Sequence, residues 1–468
     1  METTFYHSNT NQEKKLCSFW KLDEILHRKD GPAYQSWYLN QNLKAKKWYL
    51  HGKYHNENGP AVIKNHVNGK TSKEKWYLYG NLHNESGPAL KRYNESMRLI
   101  KEEYYFYGNL HNKNGPAIKE YDRKGNLIKE EWYLYGVFHN KNGPAEKIWY
   151  DNGKLFKETW AINGLIHKVN EPAVKIWNTS GNLTREEWHS NGVTHNGSNP
   201  AVKIYFKSGK IYKEEWHSNG ILHNLNGPAI RAWNKGGKLV KEKHYLNGFL
   251  HCVDNPAVKV WKDDQLIKEV WMLFGTPYRL GGVAVKLWHN NGELHKKEWY
   301  LNGKLHRLNH SATQEYDIDG NLIKEEWYVH GKLHNDGKPA LKRWNSKKKI
   351  IEEWWCINGR KHKEDGPAIQ KWNDKKKLIR NEMYFNGKLH SYTKPVIQEW
   401  NDNGVLIREE WRVSGSLHNK NGPAIQIWND SGQLIEEWWY LYNKLYSKDK
   451  PVVQKWDDNG KLIYEELC

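Results

Sequence analysis

The sequence predicts an all-β fold, an elongated and twisted single-layer antiparallel sheet of about 16 hairpin units of 28 residues, and three observations carry the prediction. The first is a proline lattice: Pro32, Pro60, Pro88, Pro116, Pro144, Pro172, Pro200, Pro228 and Pro256 are each 28 residues apart. The second is an aromatic content of 26 Trp and 28 Tyr against only 9 Phe in 468 residues, rings whose polar edges suit a thin structure better than a thick dry core. The third is the absence of a sustained 3.6-residue period, while two stretches per unit rich in β-branched and aromatic residues are bounded by turn residues.

After Pro256 one step is 27 residues long, placing Val283 and then Ser311 at the lattice position, and Pro339, Pro367, Pro395, Pro423 and Pro451 resume the spacing. Fourteen of the 16 positions are proline, and Pro277 alone lies off the lattice. The missing residue falls in Asp263-Asp264-Gln265, after Trp261, and reads as a shortened turn rather than a domain boundary. Residues 1–19 form an expected polar N-terminal cap, and 20–468 one continuous array.

Within a unit, proline opens the first strand, where it need not donate to a ladder. Ala117, Lys119 and Tyr121 alternate with Ile118 and Glu120, which puts the first three on one face. A polar turn ending in Gly125 leads to a second strand carrying Ile128, Glu130 and Trp132 on the matching alternation, and a further glycine closes it. Two strands per unit give about 32 in all. The expected hairpin register sets Ala117 opposite Trp132, Lys119 opposite Glu130 and Tyr121 opposite Ile128, pairing small with large and plus with minus.

Four rows recur. Histidine stands five residues before the lattice position in 14 of 16 units, as at His111, His139 and His223, and glycine eight before it, as at Gly108 and Gly136. Tryptophan stands twelve before it (Trp132, Trp160, Trp188, Trp216), and a second aromatic five after it (Trp149, Trp177, Trp233). These two rows hold 24 of the 26 tryptophans, so aromatic abundance belongs to the repeat, not to a pocket.

The string Trp299 to His306, Trp-Tyr-Leu-Asn-Gly-Lys-Leu-His, followed in the best copies by Asn-x-Asn-Gly, resembles the MORN repeat, the membrane occupation and recognition nexus. The likeness covers the chain from Trp20 onward. The unit is longer than an ordinary MORN unit, Pro-Ala follows the glycine, and Asn or Lys replaces Gly after the histidine, as in variants found in bacteria and in expanded families of large DNA viruses of protists. The resemblance implies an extended antiparallel sheet that binds partners or scaffolds assemblies, with no fixed reaction.

Chemistry that depends on one constellation is hard to place on such an array. Equivalent histidines in successive units lie two strands, about 9.6 Å, apart, too far to share a zinc ion. The closer pairs, His51 with His55 and His189 with His195, have no third ligand. The expected role of the row is structural, bonding the tight turn before Gly-Pro. The adjacent carboxylates Glu130-Glu131, Glu186-Glu187 and Glu409-Glu410 point to opposite faces of a strand, so they cannot act on one substrate. No GxSxG, phosphate-binding loop, GxGxxG or Cys/His nucleophile pattern occurs, and Cys17, Cys252, Cys356 and Cys468 are too dispersed for a disulfide framework or zinc site. No cofactor, metal or small-molecule substrate is expected.

No run approaches the roughly 18 apolar residues of a membrane helix, and the first residues lack a signal-peptide core, so a soluble intracellular protein is expected, in the cytoplasm or, for a viral member, the host cytoplasm or virion. The net charge of +19 favours an acidic partner. The expected function is a non-enzymatic scaffold that binds protein or itself, with Trp132, Trp160, Trp188, Trp216, Trp149, Trp177 and Trp233 as the apolar surface and Lys119, Lys147 and Lys175 as electrostatic steering. His111, His139, His223, Gly108, Gly136, Pro116, Pro144 and Pro228 are read as structural. The alternative is a polyanion binder, for nucleic acid or an anionic membrane surface, through the lysine rows.

Overall fold

Every regular element is a strand: the computed structural model describes residues 2–7 and 14–467, and no helix occurs among them. The chain divides into two units, Met1–Gly237 and Lys238–Cys468, each an antiparallel sheet whose strands pair in sequence order. The all-β repeat sheet expected from the lattice is therefore what the chain forms. The division falls in a turn, not at the shortened turn after Trp261.

In the first unit the sheet begins within the expected cap. Glu2–His7 pairs with Lys14–Leu22, Thr4 opposite Ser18, and Lys14–Leu22 pairs in turn with Tyr34–Trp37. Met1 and residues 8–13 of the cap lie outside the described residues.

The repeat around Pro116 shows how one unit is built. Ile118–Tyr121 and Leu127–Glu131 form the ladder hairpin, with Lys119 opposite Glu130 as expected. Between Glu120 and Tyr121 the register shifts, so Tyr121 faces Leu127 rather than the expected Ile128. The extra residue is a bulge next to the turn, where Gly125 takes a left-handed φ of 95° and Asp122 Oδ1 accepts the N–H groups of Lys124 and Asn126. Despite the bulge Tyr121 keeps to the Lys119 face, because its hydroxyl donates to Glu102, the cross-strand neighbour of Lys119.

The ladder stops at Trp132, and here the structure departs from two strands per repeat. The Trp132 N–H donates to Ala145 O of the next repeat at 2.7 Å, while its carbonyl accepts the N–H of His139 at 3.0 Å. The tryptophan thus leaves one partner for another. Beyond it Tyr133–Leu134 and Val137–Phe138 form a separate short hairpin, closed by Tyr135-Gly136 with φ of 48° and 84°. Positive φ at both central residues defines a type I′ turn. Short hairpins of successive repeats are tied together, Gly136 N–H donating to Leu110 O and Gly108 N–H to Leu82 O, each at 2.8 Å.

The interior is thin. Ala117 and Ala145, the residues after the lattice prolines, are fully buried, and the largest fully buried side chains are only valine- or isoleucine-sized, such as Val396 and Ile369. Stability therefore rests on neighbour-to-neighbour contacts rather than on one large core. In the second unit, Val258–Lys262 and Gln265–Val270 are joined by Asp263-Asp264 at φ of 49° and 67°. The missing residue converts a longer ladder turn into a two-residue type I′ turn, and pairing with Val285–Trp288 continues undisturbed.

Candidate interaction surface

Ladder register places the lysine row between glutamates. Lys119 stands between Glu102 and Glu130, Lys147 between Glu130 and Glu158, and Lys175 between Glu158 and Glu186. The result is a strip of alternating sign across the first unit, with Lys147 Nζ 3.6 Å from Glu130. The opposite face carries a second network: Lys101 reaches Glu103 and Glu120, each at 2.9 Å, and Tyr105 of the short hairpin donates to Glu103. Adjacent glutamates such as Glu102 and Glu103 thus serve separate faces, as the strand alternation requires.

In two repeats that second network includes an imidazole. Glu187, hydrogen-bonded by His189 and then by Arg185, has its pKa lowered to about 2, and Glu215, bonded by His217 and Lys213, is lowered to about 2 as well. In both, burial works against ionisation and is outweighed.

The tryptophan rows are packed. Trp132, Trp160, Trp188, Trp149, Trp177 and Trp233 are half-buried and Trp216 is buried, and no tryptophan of the chain is exposed. Cations cover many of the rings: Lys168 over Trp160 at 3.7 Å, Lys203 over Trp188 at 5.3 Å, Arg231 over Trp216 at 5.3 Å. The exposed aromatic face anticipated from a single-layer sheet is therefore not made of these rings.

The histidine row bonds elsewhere than expected. In most of its members Nδ1 accepts the N–H of the residue 24 positions on, at the tip of the next repeat's short hairpin: Tyr135 to His111 at 3.4 Å, Asn163 to His139 at 3.0 Å, Tyr107 to His83 at 3.2 Å; Nδ1 of His195 and His418 is buried without such a bond. The turn before Gly-Pro is held instead by asparagine, Asn112 Nδ2 donating to Pro116 O and Asn112 Oδ1 accepting Asn114 N–H. An acceptor Nδ1 is a neutral ring protonated at Nε2. Burial lowers the pKa of His111, and burial with the neighbouring His330 lowers that of His306. His223 donates its backbone N–H to Trp216 O, closing its own short hairpin. Gly108 and Gly136 take φ of 86° and 84° at the turn tips, and Pro116, Pro144 and Pro228 each precede a fully buried alanine.

No group of three or more metal-ligating side chains occurs among the described residues. The closest imidazole pair is His289 with His295, Nε2 to Nδ1 at 3.2 Å, which the sequence spacing did not single out.

What does lie open in part is the second strand of the short hairpins, although the next repeat's turn glycine sits against it, Gly164 beside Val137 and Gly192 beside Leu165. Seven residues before the lattice position, the first unit places Val137, Leu165, Val193 and Ile221 in four successive repeats, 44%, 48%, 41% and 51% exposed. Tyr79, Tyr107 and Tyr135 at the hairpin tips, with Leu134 and Ile162, extend this apolar edge. Sequence reasoning missed it because the second strand was closed at the glycine after the tryptophan and the residues beyond that glycine were given no element. The available signal was the Tyr-Gly or Asn-Gly pair flanked by apolar residues, which marks a hairpin of its own. Among the described residues no helix is long and apolar enough to cross a membrane.

No protein-family model and no curated protein matches the chain. Among solved structures, it is similar to the TcdB2-TccC3 toxin assembly lacking its hypervariable C-terminal region, with 10% identity over 92% of this chain and 25% of that one and a TM-score of 0.13. It is also similar to a mutant Tc holotoxin pore of Photorhabdus luminescens, at 10% identity over 97% of this chain and 28% of that one, TM-score 0.11. Choline binding protein F of Streptococcus pneumoniae gives 13% identity over 66% of this chain and 98% of that one, TM-score 0.16. This chain spans about a quarter of the length of the toxin chains. Likenesses this low bear on no functional assignment.

Proposed function

We propose that the chain is a non-enzymatic, MORN-like repeat scaffold that binds another protein along the apolar edge of its short hairpins. The observation that carries this is the row Val137, Leu165, Val193, Ile221. The fold does not need those side chains to be apolar: in the second unit Lys304, Lys332, Lys388 and Lys444 occupy the same position of the same short hairpin. An exposed apolar row that the fold itself could replace with lysine is kept for contact with something outside the chain. The tyrosines at the tips add large contact area at little entropic cost. Trp132, Trp160, Trp188 and Trp216 hold the hairpins in position behind this edge.

The polyanion reading through Lys119, Lys147 and Lys175 is the weaker one, because glutamates flank each of them on both sides in the ladder. The test is affinity capture of the tagged chain from its native cells or particles, with and without nuclease, followed by mass spectrometry. A stoichiometric protein that survives nuclease is the expected result. Loss of every partner on nuclease treatment overturns the proposal.

A further inference from the structure

Two neighbouring repeats of the second unit break the pattern of the array at their ladder turns. Where other ladder turns carry at most two lysines, these carry three each, Asn345-Ser346-Lys347-Lys348-Lys349 and Asn373-Asp374-Lys375-Lys376-Lys377, and neither has a glycine. Lys348 and Lys376 take φ of 57° and 65°, in the left-handed region that the flanking repeats fill with Gly320 and Gly404. A side chain in that conformation is strained, as it is at Gln41 and Met97 of the first unit, and here two successive repeats carry it with a lysine.

The two turns are bolted together. Asn345 Nδ2 donates to Asp374 Oδ1 at 2.8 Å, and Lys349 Nζ to Asp374 O at 3.3 Å. Lys377 is likewise used internally, donating to Asn403 O at 2.6 Å. Lys347, Lys348, Lys375 and Lys376 are exposed, and none of the four forms an ion pair among the described residues. Between the turns opens a cleft of about 530 Å³, walled by Trp344 and Trp372 and rimmed by Lys348, Lys349 and Lys376. The one carboxylate in it, Glu353, is 4.0 Å from Lys342.

From this we infer that the cleft and its lysine turns bind single-stranded nucleic acid, bases stacking on the indoles that line the cleft and phosphates lying on the four unpaired lysines. Planar walls plus free cations are the combination that single strands use, stacking on aromatic rings while the backbone follows positive charge. A flat bilayer surface would meet the lysines but not the indoles, whereas every nucleotide of a single strand brings both a planar base and a phosphate. This site is separate from the apolar edge of the first unit and goes beyond the scaffold reading.

The probe is a fluorescein-labelled oligodeoxythymidylate about 20 nucleotides long, titrated with the full chain by anisotropy, with tryptophan fluorescence recorded in parallel. The variant joins K347N, K348G, K375N and K376G, giving both turns the Asn-Gly found at Asn403-Gly404. At about 0.7 per phosphate contact, loss of four contacts lowers the slope of log affinity against log salt by about 3. The expected result is tight, salt-sensitive binding with quenched tryptophan in the wild type, and weak binding in a variant that unfolds at a higher temperature because its turns are relaxed. That rise in melting temperature separates lost contact from lost folding. Equal binding by wild type and variant overturns the inference, as does absence of binding. Binding to phosphatidylserine vesicles without binding to the oligonucleotide also overturns it, and makes the patch a membrane contact.

Discussion

Replacing His83 with phenylalanine removes the Nδ1 acceptor, along with an Nε2 that lies 3.6 Å from the solvent-exposed Glu85 carboxylate, and keeps a ring in place. The imidazole is only 7% exposed; its Nδ1 accepts the Tyr107 N–H at 3.2 Å, and its ring lies 4.3 Å from Tyr107 and 5.2 Å from Phe106. Phenylalanine keeps the ring contacts, so the loss is one net hydrogen bond, about 1 kcal/mol. Opening of the Tyr107 hairpin then becomes about fivefold more frequent. Alanine loses the ring contacts too and costs about 2–4 kcal/mol. Because repeats are coupled to their neighbours, the effect belongs to the hairpin Tyr105–Phe106 and Asn109–Leu110 and fades within a repeat or two. Hydrogen–deuterium exchange resolved to single amides reads this directly. The reasoning is refuted if Tyr107 exchanges equally in wild type and H83F, or if amides in the second unit accelerate as much as Tyr107.

Two further outcomes follow from the same geometry. Met97 occupies a ladder turn at φ of 66° where Gly125 stands in the next repeat at 95°, so Met97→Gly raises stability by about 1 kcal/mol and Gly125→Ala lowers it by a similar amount, measured by denaturant unfolding. Stability falls on acidification in two windows: His111 and His306 have folded pKa values below that of the unfolded chain, so their contribution is complete above about pH 6.5 and lost below it. Glu187 and Glu215, lowered to about 2, contribute fully above about pH 4.5 and lose that contribution as the pH falls towards 2, so a melting temperature that rises between pH 7.5 and 3 contradicts both assignments.

The repeat, the ladder hairpin and the facing of Lys119 with Glu130 were legible in the sequence, because a period of two and a period of 28 are both properties of residue order. The bulge at Tyr121 was not, since it depends on how the Asp122–Asn126 turn closes, with Asp122 N–H bonded to Asn126 O. The short hairpin was hidden by its length: two residues per strand leave no alternation to read, and Tyr133-Leu134 continues the apolar character of the strand before it. Its type I′ turn was visible as Asn163-Gly164 and Asn302-Gly303, but bulky Tyr79, Tyr107 and Tyr135, at φ of 49°, 44° and 48°, disguise it in three repeats of the first unit. The histidine row was expected to bond the turn before Gly-Pro and bonds a neighbouring hairpin instead, because the partner of most of these imidazoles lies 24 residues away and no local spacing encodes it. The exposed apolar row was missed for the same reason: the tryptophans are half-buried or buried, while Val137, Leu165, Val193 and Ile221 on the short hairpins are exposed.

That outward row is where the account is most exposed to test. The variant V137K/L165K/V193K/I221K transplants onto the first unit the residue that Lys304, Lys332, Lys388 and Lys444 supply at the same position in the second, so it should fold as the wild type does. Nuclease-treated capture with wild type and variant side by side, quantified by mass spectrometry, is predicted to recover a stoichiometric protein partner with the wild type alone. Recovery of the same partner at the same yield with both proteins would contradict the assignment of the short-hairpin edge as the binding surface.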